Sequence, residues 1–279
     1  MKHPPIEDNR CGPQPGEGGR FFREVEIEFL IHELKDPLAV IETGVRTLLE
    51  KKDKFGPLTP RQEKTLKRTL RSANKARTML SSLLEIGRSE AGCFFCSSFK
   101  PVAAAYGVLL EVLDGLPGDI SEQFRALTEE KTVRDFLARQ GILLTIETAL
   151  EDAELLQDET KFRQIVGNLI KNAMHFRKER VEIGMQLDSN TLVVAVADDG
   201  PGIDPAHHQM VFERYKQVSG CSVFPRNGQP RSGHGLGLAG ALIMARCLGG
   251  DIELESTAGH GATFRLKLPM RFDMKKSDT

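Results

Sequence analysis

The sequence predicts a helical hairpin that pairs with a second copy into a four-helix bundle, followed by an α+β sandwich. Three observations carry this. Two early stretches repeat apolar residues near the helical period on either side of a Gly-Pro break. That periodicity stops around Gly92 to Pro101. Beyond it, alternating strand-like runs mix with amphipathic helical ones.

In the first stretch Val25, Phe29, Leu34, Leu38, Ile41, Val45 and Leu48 form one apolar stripe. Gly56, Pro57 and Pro60 interrupt it, and Thr59 before Pro60 reads as a helix cap and first helical position. In the second stretch Gln62, Leu66, Thr69, Ala73, Ala76, Leu80, Leu83 and Gly87 keep a spacing near 3.5, the period of coiled-coil packing. A lone hairpin has too small a core, so dimerisation is the expected remedy.

In the remainder, Val102 to Leu113 and Gln123 to Ala138 read as helices separated by DGLPGD. Ile142 to Thr148 reads as a strand and Glu159 to Phe176 as an amphipathic helix. Val181 to Leu187 and Leu192 to Ala197 read as strands, and Leu236 to Leu248 as a helix. Asp251 to Ser256 and Ala262 to Leu268 read as a closing hairpin. The expected product is a sheet with helices over one face.

Composition excludes several classes. The 279 residues carry 38 Lys and Arg against 39 Asp and Glu, so no bulk field draws in nucleic acid or anionic membrane. Trp is absent and only Tyr106 and Tyr215 occur, against an aromatic platform for bases. No run approaches the roughly 18 apolar residues of a membrane helix, and Met1 to Gly19 is not signal-like, so a cytoplasmic location is expected. Five cysteines in a long chain call for no disulfide framework.

HELKDPL, His32 to Leu38, stands in the first helix. Pro37 removes the backbone donor that would bond the carbonyl of Glu33, loosening the helix at its histidine. A neutral imidazole is a competent nucleophile toward phosphorus, and the adjacent Glu33 suits orientation and proton acceptance. Alone, such a histidine is more often a surface residue. Asn168 and Asn172 lie four apart on one helical face, with Asp158 and Gln164 upstream. Amide oxygens are hard ligands suited to Mg²⁺ shared with phosphates, although a polar helix surface looks the same. In DDGPGI, Asp198 at a strand end can accept a purine amino group while Gly200 and Gly202 admit the ring; a Gly-Pro turn is the plain alternative. Gly233, Gly235 and Gly237 lead into a helix, an arrangement suited to phosphate. Phe212 to Ser232, with Arg214, Lys216, Arg226 and Arg231, reads either as a lid over triphosphate or as a long solvated loop.

In this order, the segments resemble the histidine kinases of two-component systems. HELKDPL resembles the H box, DETKFRQIVGNLIKNAMHF the N box, VADDGPGI the G1 box, VFERYK the F box and GHGLGL the G2 box, while GHGATFRL resembles the closing glycine strand. The match runs from about Phe21 to Leu268. It implies a dimerisation and phosphotransfer domain over 21–92, a linker over 93–100 and a Bergerat-type ATP-binding domain over 101–270, flanked by a flexible segment 1–20 and a tail 271–279. It further implies His32 as phosphoacceptor, Glu33 as acidic helper, Asn172 as the principal Mg²⁺ ligand with Asn168 nearby, and Asp198 as adenine anchor. The five glycines above would shape the pocket. ATP and Mg²⁺ are the implied cofactors. A receiver-domain response regulator, a second copy of the chain and, upstream, a sensory protein are the implied partners. Rival readings are a Bergerat-type ATPase and a nucleotide-binding pseudokinase scaffold.

The chain departs from the family in four places. His175 stands where a lysine commonly meets phosphate, beside Phe176 where an aromatic commonly covers adenine. Asp36 replaces the usual Thr or Asn four residues after the histidine, and lacks the donor that positions water for dephosphorylating the regulator. Weak phosphatase activity is expected, and Asp36→Thr should raise the rate at which the phosphorylated regulator loses phosphate. A rapid wild-type rate that the substitution does not improve would contradict this. Asp114 to Lys131 is longer than the usual connection, as an added docking surface or a tolerated insertion, and Cys93 and Cys96 make a CxxC at the hinge that a redox or metal switch could use.

Overall fold

The computed structural model describes residues 18–90, 94–114, 124, 130–213 and 237–271. The chain forms two compact units, Met1–Phe94 and Phe95–Thr279.

The first unit is a helical hairpin of α1 (Gly18–Glu50), a short α2 (Lys52–Phe55) and α3 (Pro60–Glu90). Helix α1 continues through Pro37. The start of α3 is a reciprocal cap. Thr59 donates its backbone N–H and its hydroxyl to Gln62 Oε1, each at 2.9 Å, and Gln62 N–H donates back to Thr59 Oγ1 at 3.3 Å. Gln62, placed in the apolar seam from its spacing, is therefore an exposed capping residue. Ile31 of α1 and Ala73, Leu84 and Ile86 of α3 are buried, and Arg77 Nε reaches the buried Glu42 carboxylate at 3.1 Å. Of the expected stripe on α1, Leu34 and Ile41 remain about half exposed at 52% and 47%. One hairpin covers only part of the apolar surface its sequence encodes.

The second unit holds a five-stranded sheet. Its strands are β2 (Ile142–Ile146), β4 (Val181–Asp188), β5 (Thr191–Asp198), β6 (Asp251–Ser256) and β7 (Ala262–Pro269), in the order β2-β4-β5-β7-β6. Only β2 and β4 run parallel. Period-two burial is clearest in β7, where Ala262, Phe264, Leu266 and Leu268 are buried. Arg265 and Lys267 on its other face pair with Glu255 and Glu253 of β6. Helices α4 (Pro101–Leu113) and α7 (Gly237–Cys247) pack against α6 (Glu159–Phe176), which also contacts β5 and buries Phe162, Ile165, Val166, Leu169, Ile170 and Ala173. Helix α5 (Glu130–Arg139) packs on β2. This is the mixed sheet with covering helices that the pattern predicts.

Two short strands were not foreseen. Cys96–Phe99, expected as linker, is β1, which pairs antiparallel with β3 (Leu155–Asp158) in a separate two-stranded sheet. The carboxylate of Asp158 accepts from Phe95 N–H at 3.0 Å and, as N-cap of α6, from Lys161 N–H at 3.1 Å. Asp158 is thus a buried architectural residue joining β1, β3 and α6. The start of the expected helix Gln123 to Ala138 and most of the 114–131 segment lie outside the described residues.

Candidate nucleotide site and phosphoacceptor helix

His32, Glu33 and Asp36 are all exposed on α1. That placement leaves the imidazole accessible and uninvolved in packing.

The other described candidates lie within the second unit. Helix α6 carries Asn168, Asn172 and Phe176 at four-residue steps, hence on one face, along about 12 Å of helix. At one end of that row, a Cβ added to Gly237, the first residue of α7, would stand 3.9 Å from Asn168 Oδ1. At the other end, a Cβ on Gly200 would stand 2.5 Å from the Phe176 carbonyl oxygen. At Gly200 only glycine lets the backbone close on the row, whereas at Gly237 a Cβ would make an ordinary contact. Asn168 and Asn172 are half-buried, His175 is exposed, and Phe176 remains 38% exposed with the His175 ring edge-on at 4.8 Å.

Asp198 is the last residue of β5 and only 9% exposed. Burial pushes its carboxyl up to about 6, against the opposing pull of N–H groups from Gly200 and Ala262, and the neighbouring Asp199 charge adds to the rise. The Gly200 N–H donates to Asp198 Oδ1 at 2.9 Å. A buried acceptor of this kind suits an amino group of a heterocycle.

The loop after Asp198 is lashed to the β6–β7 turn. Ser256 Oγ accepts from Ile203 N–H at 2.8 Å and donates to the Gly261 carbonyl at 2.6 Å, while Gly259 N–H donates to the Pro201 carbonyl at 2.6 Å. Gly202 sits at φ +69°, and an added Cβ would overlap the Thr257 carbonyl oxygen. Gly202→Ala is expected to cost about 2–4 kcal/mol, lowering the melting temperature of the second unit by roughly 5–15 °C. An unchanged melting curve would contradict that close approach.

Among the described residues, no group of three or more His, Cys, Asp or Glu converges on a metal position. The amide oxygens of Asn168 and Asn172 fit a hard cation that takes its remaining ligands from phosphate and water. Gly233, Gly235, Arg214, Lys216, Arg226 and Arg231 lie outside the described residues, as does Cys93. Cys96 is a free cysteine whose thiol is pushed up by desolvation and by the Asp158 charge, the opposite of an activated thiolate.

Sequence reasoning overlooked Asp199, whose carboxylate accepts backbone N–H groups of the turn after α6, and Ser256. For Asp199 no local signal exists, since the amides it binds lie 19 to 21 residues earlier in the chain.

The architecture is a GHKL-type ATPase domain preceded by a phosphoacceptor hairpin. Residues 157–271 match the family of histidine kinase-, DNA gyrase B- and HSP90-like ATPases, and residues 26–92 match the His Kinase A (phospho-acceptor) domain. The chain carries the two core domains of the sensor histidine kinases. It is 31% identical over 240 residues to the sensor histidine kinase MtrB of Mycobacterium tuberculosis, a match over 86% of this chain and 38% of that protein. It is 28% identical to the aerobic respiration control sensor protein ArcB of Escherichia coli over 245 residues, 87% of this chain and 28% of that one. It therefore spans about two-fifths or less of these relatives. The fold is similar to that of full-length ShkA, solved in complex with AMPPNP, with a TM-score of 0.63 and 20% identity over 90% of this chain and 46% of that one.

Proposed function

We propose that the chain is the kinase core of a two-component system, which transfers the γ-phosphoryl group of ATP to His32 and then to an aspartate of a separate response regulator. The observation that supports this best is the joint presence of two constellations in one chain. An exposed histidine stands in an HExxxP setting on a phosphoacceptor helix, and an Asn–Asn–Phe row and a buried Asp198 are closed by glycines in the ATPase domain.

Asp198 would accept the adenine amino group, and Phe176 would cover the ring. Asn172, with Asn168 beside it, would hold Mg²⁺ together with the phosphates. The metal supplies neutralisation of triphosphate charge. A ring nitrogen of His32 attacks the γ-phosphorus; a P–N bond forms as the bridging P–O bond breaks, ADP leaves, and Glu33 takes the ring proton. The P–N bond then breaks in favour of an acyl phosphate on the regulator. Catalysis here is positioning plus charge stabilisation.

Dimerisation through the hairpin fits the half-exposed Leu34 and Ile41. No helix among the described residues is long and apolar enough to cross a membrane. A cytoplasmic location and a sensory input delivered by a partner are part of the same proposal.

The test is incubation of the purified protein with Mg²⁺ and γ-labelled ATP, followed by acid and alkali treatment of the labelled chain. An acid-labile, alkali-stable label is the expected outcome. ATP binding without any label would favour the scaffold reading, and steady phosphate release without label would favour the ATPase.

A further inference from the structure

The proposed nucleotide site has two halves built on different elements. Asn168, Asn172 and Phe176 come from α6, whereas Asp198 and Gly200 come from the end of β5 and the loop after it. Between α6 and β4 the chain makes the turn Arg177–Arg180, and the side chain that gathers this turn belongs to the residue next to the adenine anchor. Asp199 Oδ1 accepts from Lys178 N–H at 2.8 Å and from Glu179 N–H at 3.1 Å. Its Oδ2 accepts from Glu179 N–H at 3.1 Å and from Arg180 N–H at 3.2 Å. Three successive amides aimed at one carboxylate make an anion nest. Burial alone would raise the Asp199 carboxyl, but these N–H donors hold it below its ordinary value.

We infer that Asp199 is a positioning residue for the nucleotide site, a clamp that fixes the end of α6, and with it Phe176, against the loop that carries Asp198 and Gly200.

Three features carry the inference. The two neighbouring aspartates divide the labour: Asp198, the last residue of β5, is buried, and Asp199, the first residue of the loop after it, turns to the amides. The contact being clamped is tight, since Gly200 leaves no room for a side chain beside the Phe176 carbonyl. The turn is also held from its other side, where Arg177 Nη1 donates to the Gln140 carbonyl at 2.9 Å. A turn anchored at both flanks has one position, and releasing the Asp199 side frees Phe176 to move relative to Asp198.

A purely architectural role is a poorer account. Lys178, Glu179 and Arg180 are exposed, so water can satisfy their amides once the carboxylate is gone. The loss falls on the geometry of the pocket.

The inference rests on the nucleotide-site reading, and its test separates the two. Binding of a fluorescent ATP analogue is measured for the full chain, wild type, Asp199→Asn and Asp199→Ala, at a temperature where circular dichroism shows all three folded. The KM for ATP and kcat of self-labelling are measured alongside. Asp199→Ala is expected to weaken nucleotide binding about tenfold and to raise KM more than it lowers kcat. Asp199→Asn, which keeps one acceptor oxygen, should recover part of the affinity. Equal affinity in all three proteins, or a loss in Asp199→Ala that tracks its unfolded fraction, overturns the clamp. A folded wild-type chain that fails to bind the analogue overturns the nucleotide site itself.

Discussion

Replacing His32 with glutamine is expected to reduce phosphoryl incorporation from ATP to background while nucleotide affinity stays within about twofold of wild type, as for residues that share no partners. The separation follows from placement. His32 is exposed on α1 and the nucleotide candidates lie in the second unit, so the substitution removes a nucleophile without opening a cavity. Glutamine keeps a polar side chain of similar reach and good helix propensity, so the hairpin should melt at the same temperature. Parallel measurement of label incorporation and analogue binding decides the matter. Residual acid-labile label in the variant would mean that another side chain accepts the phosphoryl group, and His32 would lose its assigned role.

Asp198→Asn is expected to weaken nucleotide binding about 10- to 100-fold, the range for losing a charge-assisted, buried hydrogen bond. Its pH dependence gives a sharper test. The wild-type carboxyl is pushed up to about 6, so the acceptor form prevails above that value and is lost as pH falls through it. Affinity should therefore decline as pH is lowered from 7 through 6, and the asparagine variant should show no such decline. Stability runs the other way. A carboxyl raised in the folded state binds more protons there than in the unfolded chain, so the nucleotide-free protein loses stability as pH rises from the ordinary carboxylate range toward 6. Thermal melts without nucleotide across pH 4 to 7, compared between the two proteins, test the sign. Flat wild-type affinity over this range would remove Asp198 from the site.

Much of the fold was legible because its elements are long or strictly alternating. The stretch Glu159 to Phe176 and the run Ala262 to Leu268 announce a helix and a strand by period alone. Both β1 and β3 escaped because four residues are too few to show a period, and Asp158 looked like part of the polar chemistry while in fact capping α6. Gln62 fitted the coiled-coil spacing yet serves the cap at Thr59, a case of one residue satisfying two patterns. Within the candidate site, Asp198, Asn168 and Asn172 were legible because few residue types suit their chemistry. Asp199 was not, because its role depends on where the turn 177–180 lies in space, and neither propensity nor period encodes that distance.

The order of the strands also dictates when the site can come into being. The central strand β5 receives its second neighbour, β7, only after the whole intervening stretch 199–261 has been made, and Ala262 at the start of β7 stands opposite Asp198. The Ser256 and Gly261 bonds that fix the loop around Gly202 also come from this late hairpin. During synthesis, therefore, a nascent chain that ends before β7 has Asp198 at the rim of an unfinished sheet, and its neighbouring loop is held by the Asp199 bonds to the turn 177–180 without those from Ser256 and Gly259. Contacts of such long sequence separation form slowly. A nucleotide bound at Asp198 would then stabilise the domain only once the last strand has closed, acting as a brake on unfolding rather than as a template.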